Sequence, residues 1–223
     1  MLPRVLESEA MDTLDEAVDY DAMDHAEVNR AFVDDLLEVV GPRHRLLSRL
    51  LDLGTGTARI PIELCRQRAA ARLTAVDAAH HMLVVGRENV ERAGLAGRIE
   101  LQQADAKRLP YRDDEFSGVI SNSIVHHIPE PREVLDEAWR VTVPGGLIFF
   151  RDLFRPADEA TIRRLVDTYA PGANEHQRRM FADSFRAALT VEEMRQLVAR
   201  YGQAPESVRA TTDRHWTWVA GKS

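Results

Sequence analysis

Short apolar runs alternate with longer helical stretches through the middle of the sequence. Five runs are predicted strands: RLLDL, RLTAVD, GRIELQQAD, the first half of FSGVISNSIVHHI, and GGLIFFRDL. Three stretches between them are predicted helices: TARIPIELCRQRA, AAHHMLVVGRENVERAG and PREVLDEAWRVT. Strands that alternate with helices of about 10–15 residues indicate a parallel sheet with helices on both faces. The alternation therefore predicts an α/β fold.

The two ends of the chain follow other patterns. Apolar residues at helical spacing predict a helix over residues 25–40, and Gly41-Pro42 ends it. Residues 154–189 contain helical stretches interrupted at APGANEHQ, and Thr190 with Glu193 forms a capping box for a further helix. SVRATTD and HWTWVAGK are then two strands in close succession. A short turn can join only antiparallel strands, so we expect a terminal hairpin.

A glycine-rich loop follows the first predicted strand. Asp52 is followed by Gly54 and Gly56, and Ala58 stands where a third glycine would continue the spacing. Glycine permits backbone angles that a Cβ forbids and allows a ligand to approach the main chain. In an open α/β sheet, ligands bind beyond the carboxyl ends of the strands. The other polar residues at predicted strand ends are Asp77, Asp105, Asn122, His126, His127, Arg151 and Asp152.

Two kinds of cofactor compete for this loop. A dinucleotide site needs G-x-G-x-x-G or alanine at the last position, where close packing of helix and strand requires a small residue. In this sequence that position is Arg59. The run instead matches D-x-G-x-G-x-G, with Ala58 as the smallest change from the last glycine.

The sequence resembles the class I S-adenosylmethionine-dependent methyltransferases, in the broad group that includes the ubiquinone and menaquinone methyltransferases. The resemblance covers roughly residues 48–152 and is carried by LDLGTGTAR, AVDAAHHML, QQADAKRLPYRDDEFSGVISNSIVHHI and VPGGLIFF. It implies a Rossmann-like, seven-stranded, mostly parallel sheet in the order 3-2-1-4-5-7-6, with the last strand antiparallel. It also implies S-adenosylmethionine as cofactor and S-adenosylhomocysteine as product.

The resemblance assigns roles to individual residues. Gly54 and Gly56 would let the methionine part of the cofactor lie against the main chain, and Asp52 would position the loop and the ammonium group. Asp77 would accept hydrogen bonds from the ribose hydroxyls, and Asp105 from the adenine amino group. Met82 would offer a polarisable surface to the adenine ring. The full predicted cofactor-binding set is Asp52, Gly54, Thr55, Gly56, Asp77, Ala78, Met82, Asp105, Ala106 and Asn122.

Plain structural roles remain open for the same residues. Asp52 and Asp77 could cap the helices that follow them, and Met82 could be an ordinary core residue. Cys65 is expected to be a buried filler rather than a nucleophile.

His127 and His126 are the predicted catalytic residues. They follow the fourth strand, and histidine titrates near neutrality, so one of them could accept a proton from the acceptor. The alternative is a packing or hydrogen-bonding role. Arg151 and Asp152 could contact the acceptor as well, although Asp152 could equally form a surface ion pair. No metal site is expected from the sequence.

The charge distribution narrows the possible partners. The net charge is −7, and Arg30 is the only basic residue between Glu7 and Glu38. Such a segment repels a phosphate backbone, which disfavours nucleic acid as a partner. One cysteine, no long apolar run and no signal-like start indicate a cytoplasmic protein without membrane insertion.

The predicted organisation is an N-terminal helical or lid segment, residues 1–45, followed by one methyltransferase domain, residues 46–223. Residues 153–189 are the expected acceptor-site lid. The predicted function is methyl transfer to a small or medium organic acceptor by a monomer or homodimer. A protein or nucleic-acid methyltransferase, a non-catalytic cofactor-binding module and an NAD-type oxidoreductase remain alternatives.

Overall fold

The computed structural model describes residues 2–7, 12–23 and 25–223. Residues 1, 8–11 and 24 of the predicted N-terminal segment lie outside this description. The helices are α1 (Leu14–Ala22), α2 (Ala26–Val40), α3 (Arg59–Gln67), α4 (His80–Arg92), α5 (Pro131–Val141), α6 (Glu159–Tyr169), α7 (Glu175–Ala187) and α8 (Val191–Val198). The strands are β1 (Leu50–Leu53), β2 (Leu73–Asp77), β3 (Ile99–Gln103), β4 (Phe116–Asn122), β5 (Thr142–Leu153), β6 (Val208–Ala210) and β7 (His215–Gly221).

The seven strands form one sheet in the order β3-β2-β1-β4-β5-β7-β6. The β1 strand pairs in parallel with β2 on one side and with β4 on the other, and β2 pairs in parallel with β3. The β6 and β7 strands are antiparallel, as the short turn between them requires. The predicted fold class and strand order are therefore confirmed.

Local sequence explains why several helices begin where they do. The side chain of Thr190 accepts a hydrogen bond from the Glu193 amide, and the Glu193 carboxylate accepts one from the Thr190 amide, so the predicted capping box of α8 is present. Asn174 and Gln177 form the same reciprocal pair at α7. With this cap, the last three of the eight residues of the expected APGANEHQ interruption lie inside α7, so the break between α6 and α7 is shorter than predicted.

The chain divides into two compact units. The larger unit comprises the described part of residues 10–122 together with 133–150 and 220–223. The smaller unit comprises residues 123–132 and 151–219 together with the described part of residues 1–9. Each unit is described separately below. The proposed division into segments 1–45 and 46–223, with a lid at 153–189, stays a prediction.

The core of the larger unit is built from the buried residues of β1, β2 and β4, and it continues into α2, where Phe32 packs edge-on against Phe149 of β5. The smaller unit has a separate apolar cluster beneath α6 and α7, formed by Leu153, Ile162, Leu165, Val166, Phe185 and Ala188. None of the described helices is long and apolar enough to cross a membrane.

Candidate functional site

The loop after β1 has the backbone shape that its glycines permit. Gly54 and Gly56 have φ values of 68° and 54°, in the left-handed region that residues with a Cβ rarely adopt. The amide of Gly56 donates to Asp77 Oδ2 at 2.7 Å, and the amide of Thr55 donates to the carbonyl of Val76 at 2.9 Å. The end of β2 therefore holds the loop in place.

The Asp77 carboxylate joins two segments of the larger unit. Its Oδ2 binds the Gly56 amide, and its Oδ1 accepts from the Ala79 amide at 2.9 Å. The residue at the start of α4 is Ala79, which has no side-chain cap, so Asp77 is not the helix cap considered above. The carboxylate therefore fixes the loop relative to the start of α4.

Asp52 is a buried carboxylate. It is 2% exposed, and burial raises its pKa to about 7, with the Thr55 hydroxyl acting to lower it and the charge of Asp77 adding to the rise. Asp52 Oδ2 and Asn122 Oδ1 are buried and lack a hydrogen-bond partner within the described parts of the chain. Asp52 does not cap α3, whose N-cap is Ala58.

The position of the missing third glycine is strained. Ala58 is fully buried and has a φ of 63°, so it adopts the conformation that glycine would adopt without cost. The next residue, Arg59, forms a two-pronged ion pair with Asp21 of α1, at 2.8 and 2.6 Å. Asn89 of α4 donates to both Asp21 and the carbonyl of Thr57. These contacts attach α1 to the glycine loop.

The α1 helix covers part of the same loop. A Cβ on Gly56 would lie 3.6 Å from Cε1 of Tyr20, so the Tyr20 ring faces the main chain of the loop. Met82 is 5% exposed and packs with Ala17, Ala79 and Tyr20 in a small apolar cluster. Met82 therefore serves as a core residue in this structure, as the plain structural role predicts, and its contact with adenine stays a prediction.

The remaining predicted cofactor residues lie at the carboxyl ends of their strands. Ala78 and Asp105 are exposed, and Ala106 is partly buried. Asp105 Oδ1 accepts from the Lys107 amide at 2.9 Å, and Lys107 Nζ lies 3.4 Å from the same carboxylate. Asn122 ends β4, whose Ser121 pairs in register with Leu53, so Asn122 and the start of the glycine loop share one edge of the sheet.

The predicted catalytic pair lies in the smaller unit. His126 is buried, its Nδ1 is 2.6 Å from Asp152 Oδ1, and its amide donates to Asp152 Oδ2. An ionised carboxylate only accepts, so Nδ1 of His126 carries the hydrogen and Nε2 is the free nitrogen. Asp152 is 1% exposed, which makes the surface ion pair considered above wrong.

A third side chain completes this group. Glu7 Oε1 lies 3.2 Å from His127 Nδ1 and 3.5 Å from His126 Nε2. Burial alone would lower the pKa of His126, but the charges of Asp152 and Glu7 outweigh it and raise that pKa. The two rings in turn hold the pKa of Glu7 below its ordinary value despite burial. Sequence reasoning missed Glu7, because no motif links it to residues about 120 positions away.

A glycine loop under a carboxylate at the end of β2, on a sheet of this strand order, defines a Rossmann-like methyltransferase fold. A family model described as "Methyltransferase domain" matches residues 51–150. Residues 51–150 thus match a methyltransferase domain, and the chain is similar to the class I S-adenosylmethionine-dependent methyltransferases of the group that includes the ubiquinone and menaquinone methyltransferases.

Individual relatives agree with this family. The chain is 27% identical over 143 residues to a ubiquinone/menaquinone biosynthesis C-methyltransferase of Roseobacter denitrificans, covering 64% of this chain and 56% of the relative. It is 32% identical over 178 residues to a malonyl-[acyl-carrier protein] O-methyltransferase of Geobacter sulfurreducens, covering 78% and 64%. A SAM-dependent methyltransferase from Aquifex aeolicus superimposes with a TM-score of 0.66 at 14% identity, over 96% of this chain and 100% of that one. The chain spans little more than half the length of the first of these relatives.

Proposed function

We propose that the chain binds S-adenosylmethionine at the glycine loop and transfers its methyl group to a small or medium organic acceptor. The observation that carries this proposal is the pair of buried, unpartnered oxygens, Asp52 Oδ2 and Asn122 Oδ1, at one edge of the sheet. Buried polar atoms without partners are rare in native proteins, and a bound ligand at this edge would satisfy both oxygens. Two acceptors, one of them a carboxylate, suit the ammonium group of the cofactor.

The remaining site residues fit the same ligand. The glycines give the loop a shape that residues with a Cβ rarely adopt, and the Tyr20 ring of α1 lies against Gly56. Asp77 places a carboxylate, which accepts hydrogen bonds from hydroxyl groups, at the end of β2. The rim is acidic, and Arg59, which follows the glycine loop, is already paired with Asp21; this suits a cation without phosphates better than a pyrophosphate. Asp105 and Ala106 are proposed for the adenine edge, together with Ala78, Met82 and Thr55 around them.

The bound cofactor supplies a methyl group that its positive sulfur already activates. The work left to the protein is to hold the acceptor in line with that methyl at near-attack distance. If the acceptor must lose a proton, His127 is the better candidate base, because His126 is buried and its Nδ1 is committed to Asp152. The two relatives above are named as a C- and an O-methyltransferase, so the accepting atom is left open.

Calorimetric titration tests the cofactor assignment. We expect S-adenosylhomocysteine to bind in a saturable, one-to-one manner and NADH to give no binding heat. Binding of NADH alone would overturn the proposal in favour of an oxidoreductase. Binding of S-adenosylhomocysteine without turnover of any acceptor would point instead to a non-catalytic module.

A crystal structure with S-adenosylhomocysteine and a metabolite extract tests the acceptor class. We expect density for a small organic molecule beside the sulfur. An extended peptide or nucleotide bound there would favour a protein or nucleic-acid methyltransferase instead. We also propose a cytoplasmic location. We propose that the chain is a monomer or a homodimer, and analytical sedimentation can distinguish these two states.

A further inference from the structure

Glu7, His126 and His127 bring three potential metal ligands together inside the smaller unit. One ligand atom from each residue, a carboxylate oxygen and two imidazole nitrogens, lies within 4.8 Å of the other two. His126 is buried, and the other two residues are partly buried. We propose that these three side chains bind a divalent first-row transition-metal ion.

The distances fit a metal ion shared by the three residues. Nitrogen and oxygen ligands lie about 2.0–2.2 Å from zinc, so two ligands of one ion are about 3–3.5 Å apart. Glu7 Oε1 is 3.2 Å from His127 Nδ1 and 3.5 Å from His126 Nε2. The Oε1 and Nδ1 atoms are buried and, within the described residues, neither is aligned for a hydrogen bond. The two atoms face each other at 3.2 Å, and an ion between them would satisfy both.

Neighbouring side chains orient two of the three ligands. Asp152 accepts from His126 Nδ1 at 2.6 Å, which leaves Nε2 directed to the cluster. Ser184 lies 3.4 Å from Glu7 Oε2, which leaves Oε1 facing the two rings. A carboxylate behind a ligating histidine is the usual arrangement in metal sites, because it fixes the tautomer and raises the basicity of the ligand.

The donor set selects the class of ion. Two imidazoles suit zinc, iron, copper or nickel, whereas magnesium and calcium prefer oxygen ligands. Two histidines and one glutamate also leave coordination positions open for water or an acceptor atom. Glu7 and Asp152 contribute two negative charges, and Arg4, whose positive charge also acts on His126, donates to the carbonyls of Ile128 and Ala187. The net negative charge favours a cation when the rings are neutral.

This inference concerns the same histidines that the proposed function treats as candidate bases. With an ion bound, both rings act as ligands, and an acceptor hydroxyl on the ion would lose its proton more readily. Without an ion, His127 stays the candidate base. Metal binding therefore decides between two ways of activating the acceptor, and cofactor binding is independent of both.

Calorimetry with zinc chloride tests the site in full-length protein that carries no polyhistidine tag and has been treated with a chelator. We expect one zinc ion to bind per chain. The binding heat should depend on the ionisation enthalpy of the buffer, because metal and proton compete for the imidazole nitrogens and binding therefore releases protons. Cobalt(II) should give the visible absorption of a low-symmetry nitrogen and oxygen site.

Four variants assign the binding to these residues. Glu7→Gln and His127→Ala should each weaken zinc binding by more than tenfold. Asp152→Asn should weaken it by about 10–100-fold, as expected for a residue behind a ligand. The matched control is His80→Ala/His81→Ala, which removes another adjacent histidine pair with a carboxylate, Asp12, 3.2 Å from His81 Nδ1. The control should bind zinc as the wild type does.

Three results would overturn the proposal. They are no saturable zinc binding in the wild type, wild-type zinc affinity in both Glu7→Gln and His127→Ala, and loss of zinc binding in the control. Circular dichroism confirms that each variant is folded. Titration of S-adenosylhomocysteine into Glu7→Gln separates the two proposals, because the cofactor should still bind when zinc does not.

Discussion

Asp77 has two tasks in the structure, because it fixes the glycine loop through Gly56 and is proposed to hold the ribose. We expect Asp77→Ala to weaken binding of S-adenosylhomocysteine at least tenfold in calorimetry. The variant should also lose about 2 kcal/mol of stability, since two backbone amides lose a charged acceptor.

The control for this variant is Glu88→Ala, which removes an exposed acid from α4. It should change neither the affinity nor the free energy of unfolding by a measurable amount. Unchanged affinity in Asp77→Ala would remove the ribose role and leave Asp77 a structural residue.

Asp52 makes stability depend on pH. Burial raises its pKa to about 7 in the folded chain, above its ordinary value when unfolded, so ionisation favours the unfolded state. The contribution of protonated Asp52 to the free energy of unfolding is complete below the ordinary carboxyl pKa, and it is lost as the pH rises through about 7. Asp52→Asn should therefore raise the melting temperature at about pH 8, with a smaller difference at about pH 5.

Asp52→Asn should at the same time weaken cofactor binding, because the ammonium loses a carboxylate partner. Wild-type binding should release a proton at about pH 6–7, as the cation favours ionised Asp52, and the variant should release none. A variant that melts lower than the wild type at alkaline pH would contradict the assigned cost of burial.

At the scale of elements, the start of α3 contains a correctable strain. Ala58 is in the left-handed region, where an L-residue with a Cβ costs about 1–2 kcal/mol. Ala58→Gly should stabilise the protein by up to about 1 kcal/mol in chemical denaturation, after the greater flexibility of glycine in the unfolded chain is subtracted.

The comparison for this variant is Ala160→Gly in α6, at an exposed helical position. The same replacement there should destabilise by about 0.5–1 kcal/mol, because glycine is a poor helix former. Equal effects at both positions would show that the backbone angle of Ala58 carries no cost.

Most helices and strands could be predicted from the spacing of apolar residues and from the glycine, proline and capping residues between them. The ends of these elements and the side chains they contact could not be predicted. The α8 capping box is a contiguous four-residue signal, and it was found where the sequence places it. The α1 helix was missed as a separate element, since its nine residues have only Ala17 fully buried and thus no clear apolar stripe. The Arg59–Asp21 pair that attaches α1 joins positions 38 residues apart, which no local pattern connects.

The same limit applies to the candidate site. The positions of Asp52, Gly54, Gly56 and Asp77 could be predicted because each lies at or just after the end of a strand, and parallel strands bring their carboxyl ends to one edge. The role of Asp152 as the partner of His126 was not predictable, since adjacent histidines offer no sign of which nitrogen faces a carboxylate. Glu7 lies outside every motif, and only the coordinates place it beside the histidines.

At the scale of the whole molecule, ligand binding and folding are linked. S-adenosylhomocysteine at about 100 times its dissociation constant should stabilise the chain by about 2.7 kcal/mol, and NADH should not. A thermal melt with each ligand measures this difference. A shift with NADH alone would contradict the proposed cofactor.

The net charge of −7 gives a further whole-molecule prediction. The chain should show no retention by double-stranded DNA or RNA at low salt, where electrostatic binding is strongest. Retention that disappears with salt would favour the nucleic-acid alternative.

The single thiol of the chain is buried in α3, eleven residues after Gly54. A sulfhydryl that is 2% exposed can react with a reagent only when the surrounding helix opens. Cys65 is therefore a natural probe of the helix that follows the glycine loop, and no engineered label is required. The rate at which Cys65 is alkylated reports how often this helix opens, and a ligand bound at the glycine loop should lower that rate.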